Sequence, residues 1–114
     1  MKQAVTLKQN RDFQRLYKKG KSAVCPTMVV YCRRNRLDHN RLGITVSTKL
    51  GGAVRRNRIR RRIREVYRLS LPNLEAGYDL VLVARNRAFD VPFPKLMAGF
   101  ERCCRELGLW RVAP

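Results

Sequence analysis

Residues 41–68 read RLGITVSTKLGGAVRRNRIRRRIREVYR, and the pattern of this stretch changes midway. In the first part, Leu42, Ile44 and Val46 alternate with small or polar residues, as in a strand with one buried face. The glycine pair Gly51–Gly52 then interrupts the alternation. Beyond the glycines, apolar residues recur at helical spacing. The stretch therefore predicts a strand, a tight turn and a helix in direct succession.

The predicted helix has an apolar stripe between two basic flanks. At about 100° per residue, four apolar residues fall on one side and predict contact with a core: Ile59, Ile63, Val66 and Tyr67. Residues 51–68 contain eight arginines and a single acid, Glu65. A solvated helix usually alternates charges for i,i+4 pairing, whereas guanidinium groups suit forked contacts with phosphate. We therefore interpret the flanks as a phosphate-binding surface in preference to a merely solvated one.

The composition agrees with a polyanionic partner. The chain has 114 residues, and 26 Lys and Arg against eight Asp and Glu give a net charge of +18. Such a charge destabilises a compact state through self-repulsion and is typical of nucleic-acid binding. No apolar run reaches the ~18 residues of a membrane span, and the first ten residues lack the apolar centre of a signal peptide. We expect one RNA-binding domain over 1–114, no membrane partner and a cytoplasmic location.

The cysteines do not predict a metal site. Cys25, Cys32, Cys103 and Cys104 form no CxxC pair, and with the single histidine His39 they give no believable zinc spacing. In a reducing compartment, thiols act mostly as small apolar side chains. We expect four reduced cysteines.

Two segments precede the strand. Residues 11–19 predict a short helix, with Asn10 as N-cap and Gly20 as a left-handed stop. A β-rich run over 23–33 contains Pro26, which cannot donate to a sheet ladder, so the run is either an edge strand or broken there. Alternation places Tyr31 on the face opposite Met28 and Val30.

Two further segments follow the arginine helix. Residues 78–84, YDLVLVA, are almost continuously apolar, which is typical of a strand covered on both faces. Residues 94–107 predict an amphipathic helix. The order helix, strands, helix, strand, helix indicates an α+β fold, a two-layer sandwich with helices on a small mixed sheet.

No residue set predicts catalysis by the polypeptide alone. The eight acids are scattered, without a DxD pair or i,i+4 carboxylates that could hold metal ions. His39 stands alone in a polar connector, and arginine cannot act as a base. The segment LGGA lacks both GxGxxG and the Walker lysine. We therefore predict no catalytic residue and no metal ligand.

The stretch at 41–68 closely resembles the signature region of the bacterial ribonuclease P protein component. That signature runs from a strand through a K-x-G-x-A-V-x-RNR segment into a basic helix. The early DFQRLYKKG, then MVVY, YDLVLVAR and the C-terminal amphipathic helix also follow the order of the family. The resemblance covers nearly the whole chain.

The resemblance implies an αβββαβα sandwich with a left-handed βαβ crossover. It also implies that the chain is the non-catalytic subunit of an endoribonuclease, a hydrolase. In such an enzyme a catalytic RNA holds Mg²⁺ and cleaves precursor tRNA to give the mature 5′ end. The protein would bind this RNA and the single-stranded 5′ leader, with no cofactor bound by the protein alone. No oligomer is predicted.

Carried onto this chain, the resemblance assigns two sets of residues. The set expected to bind the catalytic RNA is Lys49, Arg56, Asn57, Arg58, Arg60, Arg61, Arg64 and Arg68. The set expected to bind the leader is Phe13, Tyr17 and Tyr31, with the hydroxyl face of Thr45 and Ser47 beside them. For Phe13, a purely structural role in packing the first helix is an equal alternative. Two positions depart from the family: Gly52 replaces a frequent Asn, and Thr48 replaces a frequent lysine.

Three other functions stay open at this point. A ribosomal-type structural protein would use the same basic helix to bind folded RNA. A DNA-binding regulator would place it in a major groove, but a partner helix is missing. A stand-alone metal nuclease would need the clustered acids that are absent from the sequence.

Overall fold

The computed structural model describes residues 5–111 and contains three α-helices and four strands within that range. The helices are α1 (Asn10–Lys19), α2 (Ala53–Ser70) and α3 (Phe93–Glu106). The strands are β1 (Lys21–Val24), β2 (Met28–Arg34), β3 (Arg41–Thr45) and β4 (Tyr78–Ala84). Short 3₁₀ turns cover Thr48–Leu50, Leu71–Asn73 and Asn86–Ala88. The predicted order of elements is confirmed.

The sheet is mixed and has the order β1-β2-β4-β3. β1 pairs with β2, and β2 with β4, in antiparallel orientation, whereas β3 and β4 run parallel. The strand β4 therefore lies inside the sheet, and Asp79 to Leu82 are all buried, as the apolar run over 78–84 predicts.

One face of the sheet is sealed by α2 and α3. The apolar stripe of α2 faces inward as predicted: Ile59, Ile63 and Val66 are 0% exposed, and Tyr67 is 1% exposed. These side chains share a core with Leu42, Val46 and the inward residues of β2 and β4. The alternation in β3 is thereby confirmed.

The first helix lies on the opposite face of the sheet. Leu16 of α1 and Leu7 pack with Val81 of β4, and Phe13, Tyr17 and Tyr31 surround this second cluster while staying partly exposed. The α+β fold with helices on a small mixed sheet is thus confirmed. The sandwich description applies to α2 and α3 on the sheet, and α1 adds partial cover to the other side.

Two details of the first predicted helix are wrong. Asn10 is the first helical residue, and the capping position belongs to Gln9, which makes no side-chain capping bond. Gly20 is extended, with φ −81° and ψ 165°, and not left-handed. Its lack of a side chain serves close packing, because a Cβ there would lie 2.6 Å from the Leu16 carbonyl oxygen and 2.8 Å from that of Cys32.

The other local predictions agree with the structure. The run over 23–33 is broken at Cys25–Thr27, around Pro26, so that β1 and β2 form a hairpin. The four cysteines are free and buried. Within residues 5–111, no helix is both long and apolar enough to cross a bilayer.

Candidate nucleic-acid interface

The turn before α2 depends on one glycine. Gly51 has φ +128°, a conformation that L side chains rarely adopt, and a Cβ there would lie 2.5 Å from Cδ of Arg55. Gly52 follows as the N-cap of α2, with extended backbone and nothing within 4 Å of a Cβ. The asparagine that the resemblance implies at this position would therefore meet no clash at its Cβ.

The outer surface of α2 is an accessible cationic strip. Arg58, Arg61 and Arg64 are exposed, and Lys49 is exposed in the turn that precedes the helix. Among residues 5–111, the only ion pair made by an arginine of α2 joins Arg68 to Glu65. Because one acid faces so many guanidinium groups, most of the positive charge is left for a partner.

Two residues of the RNR segment also make local hydrogen bonds. Nε of Arg56 donates to the Gly51 carbonyl at 3.0 Å, across the turn. Nη1 of Arg60 donates to Oδ1 of Asn57 at 3.2 Å. A guanidinium has five N–H donors, so these bonds orient the groups and leave donors for phosphate.

Two arginines of α2 act inside the fold, and the sequence did not reveal them. The guanidinium of Arg62 donates to the backbone carbonyls of Phe89 and Val91. Arg55 donates to the Leu50 carbonyl at 2.7 Å and lies 3.8 Å from the centroid of the Phe89 ring. These contacts fasten α2 to the segment after β4. Phe89 and Val91 lie more than 25 residues further along the chain, so no local pattern distinguishes these two arginines from the exposed ones.

The face of the sheet beneath α1 carries two tyrosines in contact. The rings of Tyr17 and Tyr31 meet edge to face, with centroids 5.0 Å apart and planes at 73°. The Tyr17 hydroxyl lies 2.9 Å from Oγ1 of Thr45 in a hydrogen bond. All three residues are half-buried. Three of the five leader-binding candidates therefore lie together in one half-buried polar and aromatic cluster, which we call the aromatic cleft.

Phe13 packs and lines a surface at the same time. Its ring lies against Gly43 so closely that a Cβ at that glycine would be 2.5 Å from Cζ of Phe13. The ring also borders a cavity of about 220 Å³ that Arg60 and Arg64 line from α2. The packing role of Phe13 is thus confirmed, whereas its contact with the leader stays a prediction, and Gly43 is a neighbour of this ring that the sequence did not reveal.

Ser47 stands apart from the tyrosines. It lies beyond the end of β3, and its Oγ accepts a hydrogen bond from the backbone N–H of Lys49 at 3.2 Å. The side chain thereby starts the 3₁₀ turn that leads to Gly51. Its assignment to the leader stays a prediction.

The acids and the histidine of this chain are engaged in structure or lie at the surface. Asp79 accepts two hydrogen bonds from Arg41, at 2.8 and 2.7 Å, and these bonds raise the pKa of Arg41. His39 is exposed and bonds its neighbour Asp38. Within the described range, no three His, Cys, Asp or Glu side chains form a group that could hold a metal ion.

A basic α+β protein with a cationic helix beside an aromatic cleft belongs to the class of RNA-binding proteins. The family model described as Ribonuclease P matches residues 1–108. The chain therefore belongs to the ribonuclease P protein family. It is the protein subunit of an endoribonuclease that acts in tRNA processing, and it works with ribonuclease P RNA. The ribosomal, DNA-binding and stand-alone nuclease alternatives are set aside.

Individual relatives agree with this family. The ribonuclease P protein component of Natranaerobius thermophilus is 42% identical over 106 residues, which is 93% of this chain and 92% of the relative. The solved structure of the Staphylococcus aureus protein is 38% identical, with a TM-score of 0.83, over 96% of this chain and all of that one. The Thermotoga maritima structure is 34% identical, with a TM-score of 0.78, over 85% and 92% of the two chains.

Proposed function

We propose that this subunit assists ribonuclease P through two adjoining surfaces. The exposed flank of α2, together with Lys49, binds the RNA component. The cleft between α1 and the sheet holds the single-stranded 5′ leader of precursor tRNA. The enzyme then removes that leader to give the mature 5′ end.

The cationic strip supports the first part of this proposal. Arg58, Arg61 and Arg64 project from one helix, so their Cα atoms are held at fixed spacing while the exposed guanidinium groups can reach a phosphate backbone. Each phosphate that they neutralise releases condensed counterions. Binding through this strip would therefore weaken steeply as salt is added.

The cleft supports the second part. Stacking on aromatic rings contributes about 1–3 kcal/mol per base and tolerates any base, because every base has a π-face. Tyr17 and Tyr31 offer such rings, and the Thr45 hydroxyl offers hydrogen bonds. A leader whose sequence varies between tRNAs requires this kind of tolerant contact.

The single observation that carries the proposal is the cavity at the border of the two surfaces. Phe13 from α1 lines it together with Arg60 and Arg64 from α2. One strand of RNA could place a base against the ring while its phosphate meets the guanidinium groups. Substrate and catalytic RNA would then meet along this border, where cations reduce the repulsion between their phosphates.

The chemistry of cleavage belongs to the RNA in this proposal. Asp79, the only buried acid among residues 5–111, is held by Arg41 and Asn35 and so is not free to act as a base. Mg²⁺ would be held in the active site of the RNA, without a cofactor on the protein. The site of action we propose is the cytoplasm.

The test separates the two surfaces with matched variants. Arg61→Gln with Arg64→Gln should weaken binding to a bacterial ribonuclease P RNA transcript and lower its salt slope by about 1.4–1.8, at about 0.7–0.9 per phosphate. Tyr31→Ala should leave that binding intact. It should instead lower kcat/KM for leader-bearing precursor tRNA about fivefold or more relative to a substrate without a leader.

The charge control is Arg36→Gln with Arg111→Gln, since both residues are exposed and neither belongs to either proposed surface; Arg111 lies 3.9 Å from Glu75 in an ion pair. This pair removes the same charge and should change neither quantity much. If the Arg61/Arg64 pair and Tyr31→Ala impaired the same step to the same degree, the division between the surfaces would be wrong.

A further inference from the structure

A second basic groove lies beyond the other flank of α2. Two adjoining cavities of about 550 and 410 Å³ open between the β1–β2 turn, the segment after β4 and α3. Both are bordered by Pro26, Arg87 and Arg102, so they form one continuous depression. We call it the turn groove.

The turn groove is lined by cations that the protein leaves unpaired. Arg85, Arg87, Lys95 and Arg102 border it and are exposed. Within residues 5–111, none of the four forms an ion pair, and no acidic side chain borders either cavity. The acid next to Arg102 in sequence, Glu101, is held by Arg105 at 2.8 Å.

The wall of the turn groove is fixed in place. Nη1 of Arg85 donates to the Cys25 carbonyl at 3.1 Å, which ties the segment after β4 to the β1–β2 turn. Asn86 accepts a hydrogen bond from Nη2 of Arg55 at 2.8 Å, which ties the same segment to α2. The cations are therefore presented from a surface that needs little reorganisation on binding.

The turn groove continues the cationic surface of α2. Arg55 and Arg58 both lie over the Phe89 ring, at 3.8 and 5.5 Å, and Phe89 follows directly on the turn that carries Arg87. The aromatic cleft lies on the other side of the sheet, under α1. An RNA that lies along α2 can thus reach the turn groove without crossing the leader cleft.

We propose that the turn groove is a second contact site for the phosphate backbone of ribonuclease P RNA, rather than for the leader. This inference rests on the proposed function, because it extends the α2 contact to the same partner. Open depressions lined by guanidinium groups suit a phosphodiester chain that passes along the surface. Arg87 and Arg102 are the central contacts, since they border both cavities.

The test is a salt series of binding to a bacterial ribonuclease P RNA transcript. Arg87→Gln with Arg102→Gln should weaken binding about five- to tenfold near 0.15 M salt and reduce the salt slope by about 1.4–1.8. The pair Arg87→Lys with Arg102→Lys should recover most of the affinity, because charge is retained. The control Arg36→Gln with Arg111→Gln lies at the opposite end of the sheet and should bind nearly as the unchanged protein does.

Each other outcome overturns the proposal. If the Arg87/Arg102 pair loses no more affinity than the control, the turn groove does not contact this RNA. If the pair instead lowers only the preference for leader-bearing over leaderless substrate, the groove binds substrate. Failure of the proposed function is distinguishable, because the unchanged protein would then show no binding to the transcript in the same series.

Discussion

The two faces of the sheet are formed by the same strands but are covered to different extents. Toward α2 and α3, Leu80 and Leu82 are 0% exposed and belong to one large core. Toward α1, Tyr31, Thr45 and Val83 remain half-buried, since a ten-residue helix covers only part of that face. Alternation along a strand thus separates the sealed core from the partly covered face that we propose as the leader-binding surface. Neighbouring residues of a strand lie on opposite faces, so substitutions at adjacent positions should affect different properties of the protein.

The largest expected effect comes from neighbouring residues of β4 that face opposite ways. Leu82→Ala should lower the free energy of unfolding by about 2–5 kcal/mol, because it leaves a cavity in the sealed core. Val83→Ala, on the α1 face, should lower it by about 1 kcal/mol or less. Urea unfolding followed by circular dichroism measures both values. Equal losses would contradict the difference between the faces.

An intermediate effect is expected where α1 touches the sheet. Gly43→Ala should lower the free energy of unfolding by about 1–3 kcal/mol, because the new methyl group meets the Phe13 ring. In a Phe13→Ala background the same change should cost clearly less, which a double-mutant cycle measures. If Gly43→Ala costs the same in both backgrounds, contact with the ring is not the cause.

The smallest effect is expected from a single hydroxyl in the cleft. Tyr17→Phe removes the hydrogen bond to Thr45 and should lower the free energy of unfolding by about 0.5–1.5 kcal/mol. Tyr31→Phe is the matched control, since within residues 5–111 its hydroxyl makes no hydrogen bond. Thermal unfolding compares the two variants. If Tyr17→Phe lost no more stability than Tyr31→Phe, the hydroxyl of Tyr17 would not hold α1 in place.

The sequence predicted the elements because their patterns are local. Alternation in β3 and the helical spacing of Ile59 and Ile63 need only neighbouring residues to be recognised. The side of the sheet that α1 covers was not predictable in this way, because β4 is apolar on both faces. Gly20 shows the same limit. Its small size matters through the Cys32 carbonyl on a neighbouring strand, which no local pattern contains.

The candidate site also contains residues whose role follows from a local pattern and residues whose role depends on distant partners. The exposed charge of Arg58, Arg61 and Arg64 follows from helical geometry, since the apolar stripe fixes which way the helix faces. The bracing role of Arg62 depends on carbonyls 27 and 29 residues further along. The turn groove is formed by three segments that are remote in sequence. No local pattern therefore distinguishes its arginines from other arginines of the chain.

The position of β4 has a consequence for how the protein is made. β4 is the strand that joins β2 to β3, so the first three strands cannot form one sheet until the chain has been synthesised past Ala84. Until then the hairpin and β3 present open edges, and the parallel pairing must wait for the whole of α2. A nascent chain that stops after α2 would display the basic helix without a finished scaffold.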